Sequence, residues 1–234
     1  MKELFYNIIS ALALSVSCVP LLIVIFRKLT KDIPLLFFSL YWLVGGIINA
    51  TGFLPFVSNN VYAVISVVYN ILDVPFVLYI FYLNTTLETT RRVIKILLPV
   101  YLLIEILNGF IRGFTDDSFK YFLGAGVIII LVAVMHEIIA YFQQVQHSNR
   151  RKAITILYFA LLFEYATYII CFIFTYVYAS DGSSKYLTDI NIVYHTSSLL
   201  SVAIASVGFL SRNLNTAPEP KPKRVNEVLI RIID

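Results

Sequence analysis

Charged side chains are scarce in this sequence: Asp, Glu, Lys and Arg make up 14% of its 234 residues, where a soluble domain carries about a quarter. Together with 59% hydrophobic content, that scarcity excludes an ordinary water-soluble fold and predicts a membrane protein. Cysteine is limited to Cys18 and Cys171, both inside apolar runs, which excludes a disulfide framework and a cysteine metal centre. At about 20 apolar residues per span the chain is used up by roughly seven helices, with nothing left for a soluble catalytic domain. Kinase, nuclease and dinucleotide-fold readings are excluded with it.

What is present is a set of seven apolar segments, at 4–26, 34–57, 61–83, 93–111, 119–142, 153–179 and 187–210. Each is long enough to cross a bilayer as a helix, which satisfies its own backbone hydrogen bonds in lipid. The expected fold is all-α, a seven-transmembrane-helix bundle over 1–211, followed at 212–234 by a tail. The first segment does not read as a signal peptide. Lys2 and Glu3 cancel, no A-x-A site follows, and the apolar run is too long. Ser15-Val16-Ser17-Cys18 matches a lipoprotein cleavage box only loosely, lacking Leu three residues before the cysteine.

Lys and Arg near helix ends stay on the cytoplasmic side. Arg27, Lys28 and Lys31, then Arg91, Arg92 and Lys95, then Arg150, Arg151 and Lys152, then Arg212, Lys221, Lys223, Arg224 and Arg231 fall on one side, fourteen of the 18 basic residues. Lys2, Arg112, Lys120 and Lys185 fall on the other. This predicts an N-terminus outside, a C-terminus inside and an inner-membrane, multi-pass location. The net charge of +4 follows from the same bias and calls for no nucleic-acid partner. No internal repeat is visible, so a transporter of duplicated halves is not indicated.

Polar residues at membrane depth are costly and therefore informative. They are Asn49 in the second segment, Asn70 and Asp73 in the third, Glu105 and Asn108 in the fourth, Glu164 in the sixth and His195 in the seventh. A rise of about 1.5 Å per residue places Asp73 roughly 18 Å below the outer edge, Glu164 roughly 14 Å, Glu105 roughly 12 Å, His195 roughly 10 Å and Asn49 roughly 6 Å. His136 and Glu137 fall near the inner edge, where headgroups or water are expected to meet them. Three carboxylates in one layer without Lys or Arg cannot all be ionised cheaply. A protonated carboxyl, a bound cation or a water-filled cavity would resolve the conflict. The asparagines have a plainer role open to them as helix-to-helix hydrogen bonds.

Face spacing groups these residues. Tyr101, Glu105, Asn108 and Arg112 form one stripe; Tyr69, Asn70 and Asp73 share a face beside Pro75, where a kink is expected. Glu164 pairs with Tyr168, and Asn191 with His195, one turn apart. The candidate ligand- or proton-binding set is therefore Asp73, Glu105, Glu164, His195, Asn49, Asn70, Asn108, Tyr69, Tyr101 and Tyr168. Tyr176, Tyr178 and Tyr186 read instead as an interfacial belt.

Several known chemistries do not fit. The last segment holds no lysine for a retinal Schiff base. Seven-helix zinc hydrolases of the ceramidase and adiponectin-receptor type need three deep histidines with H-x-x-x-H in the final helix, whereas His147 lies between segments and His195 is followed by Leu199 four residues on. A site of His195 with carboxylates stays open in principle, but no metal or other cofactor is expected. The sequons at Asn49 and Asn84 are chance matches, one buried and one cytoplasmic.

Tyr69-Asn70-Ile71-Leu72-Asp73, the Ile-x-Tyr-His-x-Ser-Ser run around His195, and Val207-Gly208-Phe209 resemble a group of small seven-helix inner-membrane proteins common in Bacteroidota. That group has an acidic residue in its third helix, often Glu where this chain has Asp73, and a His-Ser near the start of its last, which His195-Thr196-Ser197 approximates. The resemblance implies architecture and location and carries no mechanism.

The expected function is an outward-facing polar cavity for a small ligand, ion or lipid headgroup, in a sensor or transporter. An intramembrane hydrolase or transferase, with the carboxylates as acid and base and His195 assisting, is the alternative. A structural assembly partner is a third. In the tail, 217–223 reads as a proline-rich linker, and Val225, Val228, Leu229, Ile232 and Ile233 gather on one helical face. A short amphipathic helix on the inner leaflet, a disordered end and a contact with a cytoplasmic partner are the readings there.

Overall fold

A computed structural model describes residues 2–144, 147–178, 187–211 and 214 of the chain. The tail readings at 212–234, apart from Leu214, and those for Lys185 and Tyr186 lie outside the described residues. Everything regular among the described residues is helical, and seven helical spans are long and apolar enough to cross a membrane.

The first span, Lys2–Phe26, is not one helix but two, α1 (Lys2–Val16) and α2 (Val19–Phe26). Pro20 has no N–H to give to the carbonyl of Val16, so the ladder fails there. Ser17 Oγ and Cys18 Sγ turn back onto Leu14 O and Ser15 O at 2.7 and 3.0 Å and cover part of the opened end.

Next comes α3 (Ile33–Thr51), started by Asp32, whose carboxylate accepts from Leu35 N at 3.3 Å. It stops at Gly52, earlier than the hydropathy suggests, because Pro55 disfavours helical backbone at Leu54. The fourth helix, α4 (Asn59–Asn84), continues through Pro75. Beyond it, α5 (Glu88–Arg112) ends at Gly113, whose φ of +88° suits glycine. Then follow α6 (Asp116–Phe142), α7 (Asn149–Ile173) capped by Ser148, a π-helical turn at Phe174–Tyr178, and α8 (Leu187–Leu210).

Six spans close into a ring: α1 and α2 pack on α3 and α8, α3 on α4, α4 on α6, α6 on α7, and α7 on α8. The remaining helix, α5, leans on α4 and α6 from outside. Small residues allow the tight α7–α8 contact. Ala153, Ala160 and Ala205 are fully buried, and a Cβ on Gly208 would come within 3.2 Å of Ala153 O.

Side chains tie the ends of the helices. At one end Arg27 Nη1 donates to Phe209 O and Ser211 O at 2.7 and 2.5 Å, covering the open carbonyls that finish α8. Arg150 pairs with Asp32 there, and Arg91 Nη2 donates to Thr85 O at 2.8 Å. Glu137, expected to meet headgroups or water, is instead 4% exposed and accepts from Thr85 Oγ1. It sits on the side of α6 that faces Thr85 at the end of α4, a direction that hydropathy does not encode. At the other end Lys2 Nζ pairs with Asp189 at 3.0 Å. The first and last spans therefore run in the same direction, side by side.

Candidate functional site

A cavity of about 300 Å³ lies inside the ring, in the half nearer the Lys2 end. Its walls come from α1, α3, α4, α7, the π turn and α8. Of the residues singled out by sequence, Asn49, Tyr69, Asn70, Asp73, Tyr168 and His195 line it, together with Glu164. Asp73 and Glu164 are only half-buried, although they belong to the interior of the bundle, because part of their surface is cavity wall.

Each carboxylate is held on one side. Tyr165 OH donates to Asp73 Oδ2 at 2.8 Å, and Tyr69 lies within hydrogen-bonding reach of the same group. Glu164 Oε2 accepts from Trp42 Nε1 at 2.9 Å and from Ser201 Oγ at 2.8 Å. Among the described residues no donor reaches Glu164 Oε1. Asn49 Nδ2 donates to Tyr194 OH at 3.3 Å.

Aromatic rings follow one another around the wall. Trp42 meets Tyr41 at a centroid distance of 5.3 Å, Tyr41 meets Tyr165 at 6.3 Å, Tyr165 meets Tyr168 at 6.5 Å, Tyr168 meets Tyr194 at 6.3 Å and Tyr194 meets His195 at 5.4 Å. Edge-to-face and offset contacts of this kind fix ring orientations. Tyr62 and Tyr176 also line the cavity, Tyr176 being one of the tyrosines read from sequence as an interfacial belt.

Glu105, Tyr101 and Asn108 do not line the cavity, because α5 stands outside the ring. Tyr101 OH donates to Phe122 O and Asn108 Nδ2 to Ser118 O, both at 2.8 Å, so this stripe joins α5 to α6. Glu105 is 1% exposed, and its Oε2 has no hydrogen-bond partner among the described residues. An unsatisfied buried carboxyl oxygen costs about 1–3 kcal/mol. Glu105→Met is therefore expected to raise the midpoint of thermal unfolding in detergent, whereas Glu164→Met, which removes the acceptor shared by Trp42 Nε1 and Ser201 Oγ, should lower it.

Trp42, Tyr41, Tyr165 and Tyr194 were absent from the set drawn from sequence. A signal existed: Tyr41 and Trp42 precede Asn49 by eight and seven residues, two helical turns on the same side. Ser201 was invisible, since its partner Glu164 belongs to another helix. No group of three or more His, Cys, Asp or Glu among the described residues could hold a metal ion.

Compared with protein families, with curated proteins and with solved structures, the chain matches none.

Proposed function

We propose that the chain is a multi-pass inner-membrane protein, with its N-terminus outside, whose cavity opens outward and binds a small ligand, ion or lipid headgroup as a sensor or transporter. The observation that carries this reading is the polar cavity itself: two carboxylates in the interior of a ring of apolar helices, with space beside them. A packing network would leave no such space. The basic residues support the orientation, because Arg27, Arg91 and Arg150 cluster at the end away from the cavity.

A second reading, an intramembrane hydrolase or transferase, has one specific support: Asp73, Glu164 and His195 line the same space, as an acid–base pair with an assisting imidazole would require.

Cysteine labelling tests the outward cavity. Asn191 is exposed and lines the cavity, while Asn149, at the start of α7, is exposed at the opposite end. In a Cys18→Ser/Cys171→Ser background, Asn191→Cys is expected to react with a membrane-impermeant trimethylammonium methanethiosulfonate added outside intact spheroplasts. Asn149→Cys should react only after permeabilisation. The reverse pattern would invert the orientation, and an unreactive Asn191→Cys would remove the outward opening.

A further inference from the structure

We infer that the ligand of this cavity is a compact organic ammonium ion, held by carboxylates and aromatic faces; the inference rests on the cavity reading above. Four features of the cavity point the same way.

The first is the sign of its charge. Asp73 and Glu164 line the wall, and among the described residues no Lys or Arg does, so the charged groups of the wall repel an anion, while a cation gains from both carboxylates. Glu164 Oε1 is left without a donor among the described residues while Oε2 accepts from Trp42 and Ser201.

The second is the nature of the wall. Trp42, Tyr41 and Tyr165 are almost wholly buried, and it is the partly exposed rings of Tyr69, Tyr168 and Tyr194 that present aromatic surface to the same space. Aromatic faces attract cations, and quaternary ammonium groups are the ligands this arrangement suits best, because their charge is spread over apolar methyl groups. A hard metal ion is held by several charged oxygen ligands, and among the described residues no group of three or more His, Cys, Asp or Glu could hold one.

The third is the broken first span. Pro20 deprives the carbonyl of Val16 of its helical donor; Val16 itself stands behind the wall, to which the same turn contributes Ala13, Leu14 and Ser17. A helix C-terminus carries partial negative charge, and interrupted helices use such ends to hold cations at membrane depth.

The fourth is His195. It is 7% exposed, lines the cavity, touches the rings of Tyr6 and Tyr194, and makes no hydrogen bond among the described residues. As a neutral ring it can accept from the N–H of a protonated amine, a contact that a fully methylated ammonium, having no N–H, does not make. The size of the cavity, at the lower end of ligand pockets, restricts the occupant to a small ion rather than a long lipid or peptide.

The protein carries its own reporter, since Trp42 is the single tryptophan and lines the cavity. Tetramethylammonium chloride titrated into the full chain in lipid nanodiscs is expected to change Trp42 emission saturably. Sodium chloride, sodium acetate and the neutral analogue tert-butanol at matched concentrations should not. Asp73→Asn and Glu164→Gln should each weaken the apparent affinity by about tenfold or more, with circular dichroism checking that the fold is kept. The wild-type comparison among the four solutes decides the matter even if a variant fails to fold. A saturable response to acetate or tert-butanol in place of tetramethylammonium, an equal response to all four, or no saturable response overturns the ammonium inference. Outside labelling of Asn191→Cys separates the two levels. If it labels while Trp42 ignores tetramethylammonium, the cavity stands and the ammonium ligand falls; if it does not label, both fall.

Discussion

Trp42→Ala is expected to be among the most damaging single substitutions in the chain, costing about 3–5 kcal/mol. Trp42 is 3% exposed, and its ring meets Phe38, Tyr41 and Phe209 at centroid distances of 6.4, 5.3 and 6.3 Å. It thus joins α3 to α8 across the ring. Truncation removes those contacts and also takes away the Nε1–H that serves Glu164 and Ser201 at 2.9 and 3.2 Å. A conservative partner separates the two losses. Trp42→Phe keeps most of the ring contacts and loses only the donor, so it should cost about 1–3 kcal/mol. Circular dichroism melts in detergent read both, with a fall in midpoint on the order of 10 °C for the alanine variant. Equal melting of Trp42→Ala and wild type would mean that the Trp42–Glu164–Ser201 knot contributes nothing to the bundle.

The second large effect is expected at Gly126, where three helices converge. A Cβ at this position on α6 would collide with the Tyr101 hydroxyl of α5 and stand 2.5 Å from a Val74 methyl of α4. Gly126→Ala should therefore cost about 1–3 kcal/mol through overpacking, despite alanine's better helix propensity. Tyr101→Phe alone forfeits the hydrogen bond to Phe122 O, worth about 1 kcal/mol. Combined, the two changes should cost less than their sum, because the ring without its hydroxyl makes room for the new methyl group. A double-mutant cycle on unfolding midpoints measures this coupling, of about 1 kcal/mol. Strict additivity would show that the collision is relieved some other way.

The spans were legible because a bilayer would impose one simple demand, a long apolar helix, and each of the seven segments is helical over most of its length, the first as two helices and the second ending short of residue 57. The caps Asp32 and Ser148, which each accept from the N–H three residues on, took no part in the sequence reading although their geometry is local. The break in the first span was missed although Pro20 announces it, since hydropathy runs on undisturbed through Ser17 and Cys18.

The site was legible in one coordinate only. Rise along the helix puts Asp73, Glu105 and Glu164 at similar depth, but depth says nothing of where each helix stands around the ring. Glu164 and Asp73 face inward because α7 and α4 belong to the ring, whereas Glu105 faces α6 because α5 stands outside it. Amphipathic patterning, which settles such questions in soluble bundles, is weak when the outer face is apolar too. Partnerships that cross the ring, such as Trp42 with Glu164 or Asn49 with Tyr194, leave no trace in local spacing.

The parallel contact of the first and last spans, marked by Lys2 beside Asp189, has a consequence for biogenesis. A chain made from its N-terminus contains α1 through α7 before α8 exists, so during synthesis the ring has a gap where its final member belongs. Asn191, Tyr194 and His195 are missing from the cavity wall at that stage, and Trp42 lacks Ser201 and Phe209. Asp73 and Glu164 then face an open groove, an expensive arrangement in lipid. In a chain ending before residue 187 the wall is incomplete, and the cavity comes into being only with the last helix to be translated.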